Sequence, residues 1–320
     1  MVRAVSPGSR PSEHEGTVLT AVVLNWRTPE HTLEAVSALV GDGVPAARIV
    51  VVDNASGDGS AERLRAQLPD GPLLALDENE GFARGNNLGA AALPGDAYLF
   101  VNSDAFVRAP GSVERLLGAL GDAHVGIAVP RLLNQDLTLQ PSVVPPSTPL
   151  PELVRASGLS RFVPNRLQPS LGTHWDHAES RLIRAAIGAV LLVRGRAWEE
   201  LGGFDERLFM YAEDLDLFRR AEAHGWGARF VADAEFVHLG GASADQRWSR
   251  PERAERVARA EAAMLREQVG PARARLTLGL MAAGVGARAV LHRIRGDDAA
   301  ARTQRAWMRG YLAGGRGRAL

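Results

Sequence analysis

The sequence predicts an α/β domain with a mostly parallel central sheet covered by helices, followed by a helical C-terminal tail. Three observations predict it. Short continuous apolar runs recur at 17–24, 48–52, 73–76 and 97–101. Segments of helical length separate them. A polar residue closes each run: Asn25, Asp53, Asn79 and Asp104. Continuous apolar strands suit a sheet buried on both faces. Ligands of open α/β sheets bind beyond the strands' carboxyl ends, so the four polar endings point to one shared site.

Thr20, Val22 and Val23 make the first run a strand, which ends in the loop Asn25-Trp26-Arg27-Thr28-Pro29. Pro29 suits the first turn of a helix, predicted to about residue 40. The second strand ends in Asp53-Asn54-Ala55-Ser56-Gly57-Asp58-Gly59-Ser60, whose glycines and Asx residues form turns and cap a helix to 68. A third strand ends near Asn79, and a helix is predicted over 84–92. The fourth strand ends in Asn102-Ser103-Asp104.

The region from Pro130 to Arg181 is proline-rich, with Pro141, Pro145, Pro146, Pro149, Pro151, Pro164 and Pro169. It reads as a loop-rich insertion over the site. Regular structure resumes at 183–193. A helix at 198–201 is broken by Gly202-Gly203, and another is predicted from about 212 to 225. Two short strands follow at 229–232 and 235–238, then helical spacing over 250–269. The predicted organisation is a disordered leader at 1–16, a catalytic domain at 17–248 and a basic helical region at 249–320. The domain divides into a nucleotide-binding half at 17–130, the insertion at 131–182 and an acceptor half at 183–248.

Composition narrows the function. The 320 residues carry 37 basic and 37 acidic side chains, so no global field attracts nucleic acid. Absence of cysteine excludes disulfides, thiolate metal sites and cysteine nucleophiles, and fits a reducing cytoplasm. Residues 1–16 lack the apolar core of a signal peptide. No uninterrupted apolar stretch of ~18 residues is present, so no spanning helix is predicted. All basic residues are Arg, which reads as a GC-rich genome. From Arg250 to the end there are fifteen Arg against six Asp or Glu.

Six strings in order carry a resemblance: Val23-Leu24-Asn25-Trp26; Val51-Val52-Asp53-Asn54-Ala55-Ser56; 79–87, from Asn79-Glu80-Gly81 to Gly85-Asn86-Asn87; Leu99-Phe100-Val101-Asn102-Ser103-Asp104; Gly203-Phe204-Asp205-Glu206; and Met210-Tyr211-Ala212-Glu213-Asp214-Leu215-Asp216-Leu217. Together, over roughly 17–242, they resemble family-2 glycosyltransferases of the rhamnosyltransferase-like subgroup. The resemblance implies the GT-A fold and inverting transfer from a nucleotide-diphosphate sugar, dTDP- or UDP-linked, to a glycan or polyprenyl-linked acceptor. It implies that Asp53 and Asn25 hold the base or ribose. Asn79 closes the third strand beside the nucleotide. Arg84 is a phosphate candidate or a solvated helix start.

Asn102 stands where the family often carries the first carboxylate of D-x-D. Asp104 is the main ligand for Mg²⁺ or Mn²⁺, whose preference is for oxygen. His238 resembles a downstream histidine that joins the metal in some relatives. Asp214 is implied as the general base, and one carboxylate opposite the leaving group is enough for inversion. Glu213 or Asp216 would complement the helix dipole, and Glu213 borders the acceptor. Gly188 and Ala189 leave room for sugar and acceptor. Trp175, in a patch with Thr173, His174 and His177, is a candidate to stack on a sugar ring.

Segment 276–294 is apolar, broken by Gly279, Gly284, Gly286 and Arg288, and flanked by arginines. It reads either as an interfacial helix drawn to anionic lipid, placing the enzyme on the inner face of the plasma membrane, or as a helix packed on the domain. A sugar nucleotidyltransferase is the enzymatic alternative, but Asn25-Trp26-Arg27-Thr28 is not its Gly-rich basic loop. A non-catalytic nucleotide-sugar-binding scaffold is the other, and retention of both Asp104 and Asp214 opposes it.

Overall fold

The computed structural model describes residues 16–68, 71–144, 149–157, 159–168, 175–240 and 248–314. The leader to residue 15, Pro145, Pro146, Pro169, Thr173, His174 and Gly241 lie outside them.

The strands are β1 (Leu19–Asn25), β2 (Ile49–Asp53), β3 (Leu73–Ala75), β4 (Ala97–Asn102), β5 (Ala105–Val107), β6 (Val125–Leu133), β7 (Leu139–Gln140), β8 (Arg181–Ile183), β9 (Val190–Arg194) and β10 (Gly227–His238). The helices are α1 (Pro29–Gly41), α2 (Ser60–Gln67), α3 (Gly81–Ala92), α4 (Ser112–Ala119), α5 (Pro149–Ala156), α6 (Gly195–Leu201), α7 (Glu213–Ala223), α8 (Arg250–Val269), α9 (Pro271–Ile294) and α10 (Asp298–Gly314).

One sheet runs β3-β2-β1-β4-β9-β6-β10-β5, with β7 on β6 and β8 on β10. Its first four strands are parallel, as the alternation of apolar runs and helices predicts. From β9 onward it is mixed: β9 lies antiparallel to β4 and β6, and β5 antiparallel to β10. Alternate residues feed two cores. Ala21, Val23, Val51 and Leu99 face α1, α2 and α4, whereas Val22, Val52, Tyr98 and Phe100 face α3, α6 and α7. This is the period of two expected of a sheet covered on both sides.

Three differences from the sequence reading matter. Residues 125–133 form a buried strand that continues through Pro130, because Leu132 and Leu133 belong to the core rather than to a loop. The two short strands predicted at 229–232 and 235–238 are one strand, β10, whose register on β6 shifts between Val231 and Glu235. Helix α3 starts at Gly81 rather than 84. Gly81 has φ +79°, and a Cβ there would lie 2.3 Å from the Phe209 carbonyl oxygen, which accepts from Phe82 N–H at 2.7 Å.

The tail is a helical layer. A capping box between Ser249 and Glu252 starts α8. Helix α10 lies close against it: a Cβ on Gly310 would meet the Ala258 Cβ at 2.4 Å. Ala258, Ala262, Leu265, Leu278, Val285 and Tyr311 form a third core. Among the described helices, α9 has the length and hydropathy of a membrane span, yet 39% of its most apolar stretch is buried inside the protein.

Candidate functional site

Two polar clusters lie at the carboxyl edge of the sheet. The first joins the ends of β1 and β2. Asn25 Nδ2 donates to Asp53 Oδ1 at 2.6 Å, and Asn25 Oδ1 accepts from Thr32 Oγ1 at 2.8 Å. Ser56 donates its hydroxyl to Asp53 Oδ1 at 2.6 Å and its N–H to Oδ2 at 3.2 Å. Asn54 clamps the next loop: its Oδ1 accepts from Glu80 N–H at 2.8 Å and its Nδ2 donates to the Gly81 carbonyl at 3.0 Å. Asn79 Oδ1 accepts from Gly81 N–H at 3.1 Å, so Asn79 caps the start of α3. The predicted nucleotide residues Asn25, Asp53 and Asn79 are thus neighbours, and each holds a loop. Thr28 Oγ1 lies 3.0 Å from Ser103 Oγ, tying this cluster to Asn102-Ser103-Asp104.

The second cluster surrounds a cavity of about 390 Å³ lined by Asn102, Gly188, Ala189, Glu213, Asp214 and His238, among others. Pairing of β5 with β10 sets His238 opposite Ala105, which brings His238 Nε2 to 3.4 Å from Asp104 Oδ1. Gln140 orients the imidazole. Its Nε2 donates to the His238 carbonyl at 3.1 Å and to Asn134 Oδ1 at 3.1 Å, leaving Oε1 to accept from His238 Nδ1 at 2.8 Å. A neutral ring held this way carries its lone pair on Nε2, towards Asp104. Two electron-pair donors facing at this distance are reconciled by a proton or a cation. The buried Oδ1 of Asn102, in the same cavity wall, has no hydrogen-bond partner among the described residues. One carboxylate, one imidazole and one orphaned carbonyl oxygen fit Mg²⁺ or Mn²⁺, with a substrate's phosphate oxygens to complete the shell. No three of His, Asp and Glu converge among the described residues, so the protein alone supplies a partial set.

Asp214 lies in the first turn of α7. Tyr211 and Ala212, just before it, have φ of 76° and 70°. Left-handed backbone at two consecutive non-glycine residues costs of order 1–3 kcal/mol each and is typical of functional turns. That turn sends Asp214 Oδ2 to the Gly188 N–H at 2.7 Å, while Oδ1 accepts from Leu215 N–H at 2.7 Å. Burial pushes the Asp214 carboxyl above its ordinary range, and these backbone N–H groups partly offset it. Burial and then the Asp214 charge push Glu213 well above its ordinary range. Glu213 Oε2 has no hydrogen-bond partner among the described residues. Asp216 instead pairs with Arg219 at 2.8 Å and Arg220 at 2.5 Å, so of the helix-dipole candidates it is the structural one. Gly188 lines the cavity and also admits Asp214: a Cβ there would lie 2.9 Å from the Asp214 Cβ. Ala189 lines the cavity and its carbonyl accepts from Asn102 N–H at 2.9 Å.

Two predicted site residues belong to neither cluster. Trp175 is 5% exposed, stacked on His177 at 4.3 Å and edge-on to Phe230 at 4.8 Å. Its ring belongs to the core, so it is not a sugar platform. Arg84 is engaged at the surface by Glu80 at 3.1 Å and Glu206 at 3.5 Å, which corresponds to the solvated helix start. Gly203-Phe204 serves packing: Asn87 exchanges two hydrogen bonds with the Phe204 backbone, and Phe204 lies 5.1 Å from Phe100.

Sequence reasoning missed three features. Gln140 lies in a two-residue strand with no motif around it. Ser56 was read only as part of a string. Helix α8 supplies Arg253, Val257 and Glu261 to the cavity wall, and no local pattern announces a contact between the tail and the site.

Comparisons with known proteins follow the same lines. A model of a glycosyltransferase-like family 2 matches residues 16–270. An N-acetylglucosaminyl-diphospho-decaprenol L-rhamnosyltransferase of Mycobacterium tuberculosis H37Rv is 31% identical over 214 residues, 59% of this chain and 66% of that protein's length. A low-salt glycan biosynthesis hexosyltransferase, Agl10, of Haloferax volcanii is 25% identical over 213 residues, 63% of this chain and 61% of that one. Among solved structures, a mannosyltransferase from Pyrobaculum calidifontis in complex with GDP-Man and Mn²⁺ superposes with TM-score 0.58 at 17% identity, covering 93% of this chain and 87% of that one. GalNAc-T7 with UDP, GalNAc and Mn²⁺ gives TM-score 0.53 at 14% identity over 76% of this chain and 47% of that one.

Proposed function

The chain belongs to glycosyltransferase family 2 and has the GT-A fold, and from that premise we propose that it transfers a sugar, with inversion, from a dTDP- or UDP-linked donor to a hydroxyl of a lipid-linked or glycan acceptor. L-rhamnose is the sugar the rhamnosyltransferase relative favours. The single observation that carries the reading is the cavity in which Asp214, held by Gly188 N–H, shares walls with Asn102 and His238.

Asp214 is the general base. Its carboxylate accepts the acceptor hydroxyl's proton as that oxygen bonds to the anomeric carbon from the face opposite the diphosphate. The anomeric carbon–oxygen bond breaks and its electron pair leaves with the diphosphate. A positioned base contributes ~10²–10⁴-fold. Glu213, which burial and the neighbouring Asp214 charge raise well above the ordinary carboxyl range, would in its protonated form donate a hydrogen bond to the sugar or acceptor. Asp104, His238 and the Asn102 amide oxygen would hold a divalent ion, which supplies charge compensation to the diphosphate as a Lewis acid. Asn25, Asp53 and the loops they fix form the nucleotide platform. The enzyme works at the cytoplasmic face, where a polyprenyl-linked acceptor is presented and the basic C-terminal region meets an anionic surface.

The test is equilibrium binding of dTDP and UDP sugars with and without Mn²⁺ or Mg²⁺, followed by transfer once an acceptor is found. Asp104→Ala weakens metal-dependent nucleotide binding at least tenfold. Asp214→Asn binds donor as the wild type does yet fails in transfer. Unchanged transfer by Asp214→Asn would remove the base assignment.

A further inference from the structure

Helix α9 is packed by α5, α8 and α10, yet one apolar stripe along it stays open. Leu276, Val290 and Ile294 are 58%, 60% and 77% exposed. They are joined along that face by the exposed residues Gly279, Ala283 and Ala287. The spacing is that of one helix face, and the stripe spans about 27 Å at 1.5 Å per residue. Helix α5 of the insertion turns Pro151 and Glu152 inward and Leu150 and Leu153 outward, the latter pair 61% and 52% exposed. Phe162, just beyond α5, is 70% exposed with Arg161 over its ring at 4.9 Å. A soluble surface rarely gathers so many large apolar side chains without a partner.

The charge around this patch selects the partner. From Val269 to Gly296 the chain carries five Arg and no Asp or Glu. A second copy of the surface would set arginine against arginine. An apolar ridge bordered by five arginines, with Asp297 and Asp298 only beyond its C-terminal end, instead matches an anionic bilayer, where the side chains enter the headgroup–acyl boundary and guanidinium groups meet lipid phosphates.

We infer that α9 and the insertion's α5–Phe162 segment form one docking surface for an anionic lipid bilayer. This deepens the reading of a transferase with a membrane-borne acceptor and rests on it. The helix lies on the membrane rather than through it. Its other face is buried on α8 and α10, whose Arg259–Glu255 and Arg309–Glu255 pairs belong in water. Helix α8 also lines the cavity, so one helical layer links the lipid surface to the site where the acceptor hydroxyl must arrive.

The experiment is flotation of the full chain with vesicles of neutral phosphatidylcholine or of phosphatidylcholine with phosphatidylglycerol. The wild type is expected to float with the anionic vesicles at low salt and less so at high salt, and to stay unbound with the neutral ones. Ile294→Asp and Val290→Asp should each lower partition about tenfold, and Phe162→Asp and Leu153→Asp several-fold. Leu182→Asp, equally exposed on β8, should leave it unchanged. Melting temperature confirms each fold, and the four exposed positions give independent variants. A wild type unbound to anionic vesicles overturns the surface. Full binding by both Phe162→Asp and Leu153→Asp overturns the insertion's part in it. Donor binding in vesicle-free solution is read in the same variants, and its loss in the wild type would count against sugar transfer alone.

Discussion

The cluster at the ends of β1 and β2 and the cluster around Asp214 differ in how far the protein itself satisfies them. Around Asp53, nearly every polar atom is taken: Asn25, Ser56, Thr28 and Thr32 bond one another, and Asn54 ties in the following loop. Around Asp214, the carboxyls are raised by burial, Glu213 Oε2 and Asn102 Oδ1 lack partners among the described residues, and two residues hold left-handed backbone. Folding alone does not favour the second arrangement, since each buried unpaired polar group costs ~1–3 kcal/mol. On the proposed function, the contrast is between a platform whose polar groups make structure and a reaction centre whose polar groups are left for substrate.

Exchanging one group at a time sharpens the contrast. The largest effect is expected for Asp214→Asn: transfer falls ~10²–10⁴-fold while donor affinity stays within about twofold, read by product formation and calorimetric titration. Gly188→Ala comes next. Its methyl presses on Asp214 and displaces the N–H that stabilises the carboxylate, so kcat/KM falls and the acidic limb of its pH profile moves up. An unmoved limb would deny Gly188 a role in setting the base.

In the platform, the expected loss is stability. Asn25→Ala leaves Asp53, Thr28 and Thr32 short of a partner and costs ~1–3 kcal/mol, read by denaturant melts. A loss of transfer with no loss of stability would erase the distinction between the clusters.

The smallest effect is expected for Glu213→Gln. Because the folded-state carboxyl is raised, wild-type stability is full below the unfolded value of about 4.3 and declines as pH rises towards the folded value. Glutamine carries no such penalty. The variant's melting temperature should therefore gain on the wild type by a few degrees as pH rises above about 4.3.

The parallel half of the sheet was legible because its information is local. A continuous apolar run followed by a polar residue at Asn25, Asp53 and Asn102 specifies both a buried strand and its ligand-facing end. The helix start at Glu213-Asp214 was legible for the same reason. Trp175 shows the limit: an aromatic beside polar residues in a proline-rich stretch looks available to a sugar, but Phe230, far along the chain, covers it.

By itself the sequence determined the α/β alternation and the polar residues that end β1, β2 and β4. Those properties follow from side-chain period and residue chemistry within a few positions. Only the tertiary structure decided that β10 lies against β5, bringing His238 to Asp104, that Gln140 turns the imidazole, and that α8 walls the cavity. It also decided that α9 both packs on the domain and keeps an apolar face open, which the sequence had posed as alternatives. Each depends on which surfaces meet across a hundred or more residues, and a helix with two apolar faces does not say in its own sequence which one the rest of the protein will cover.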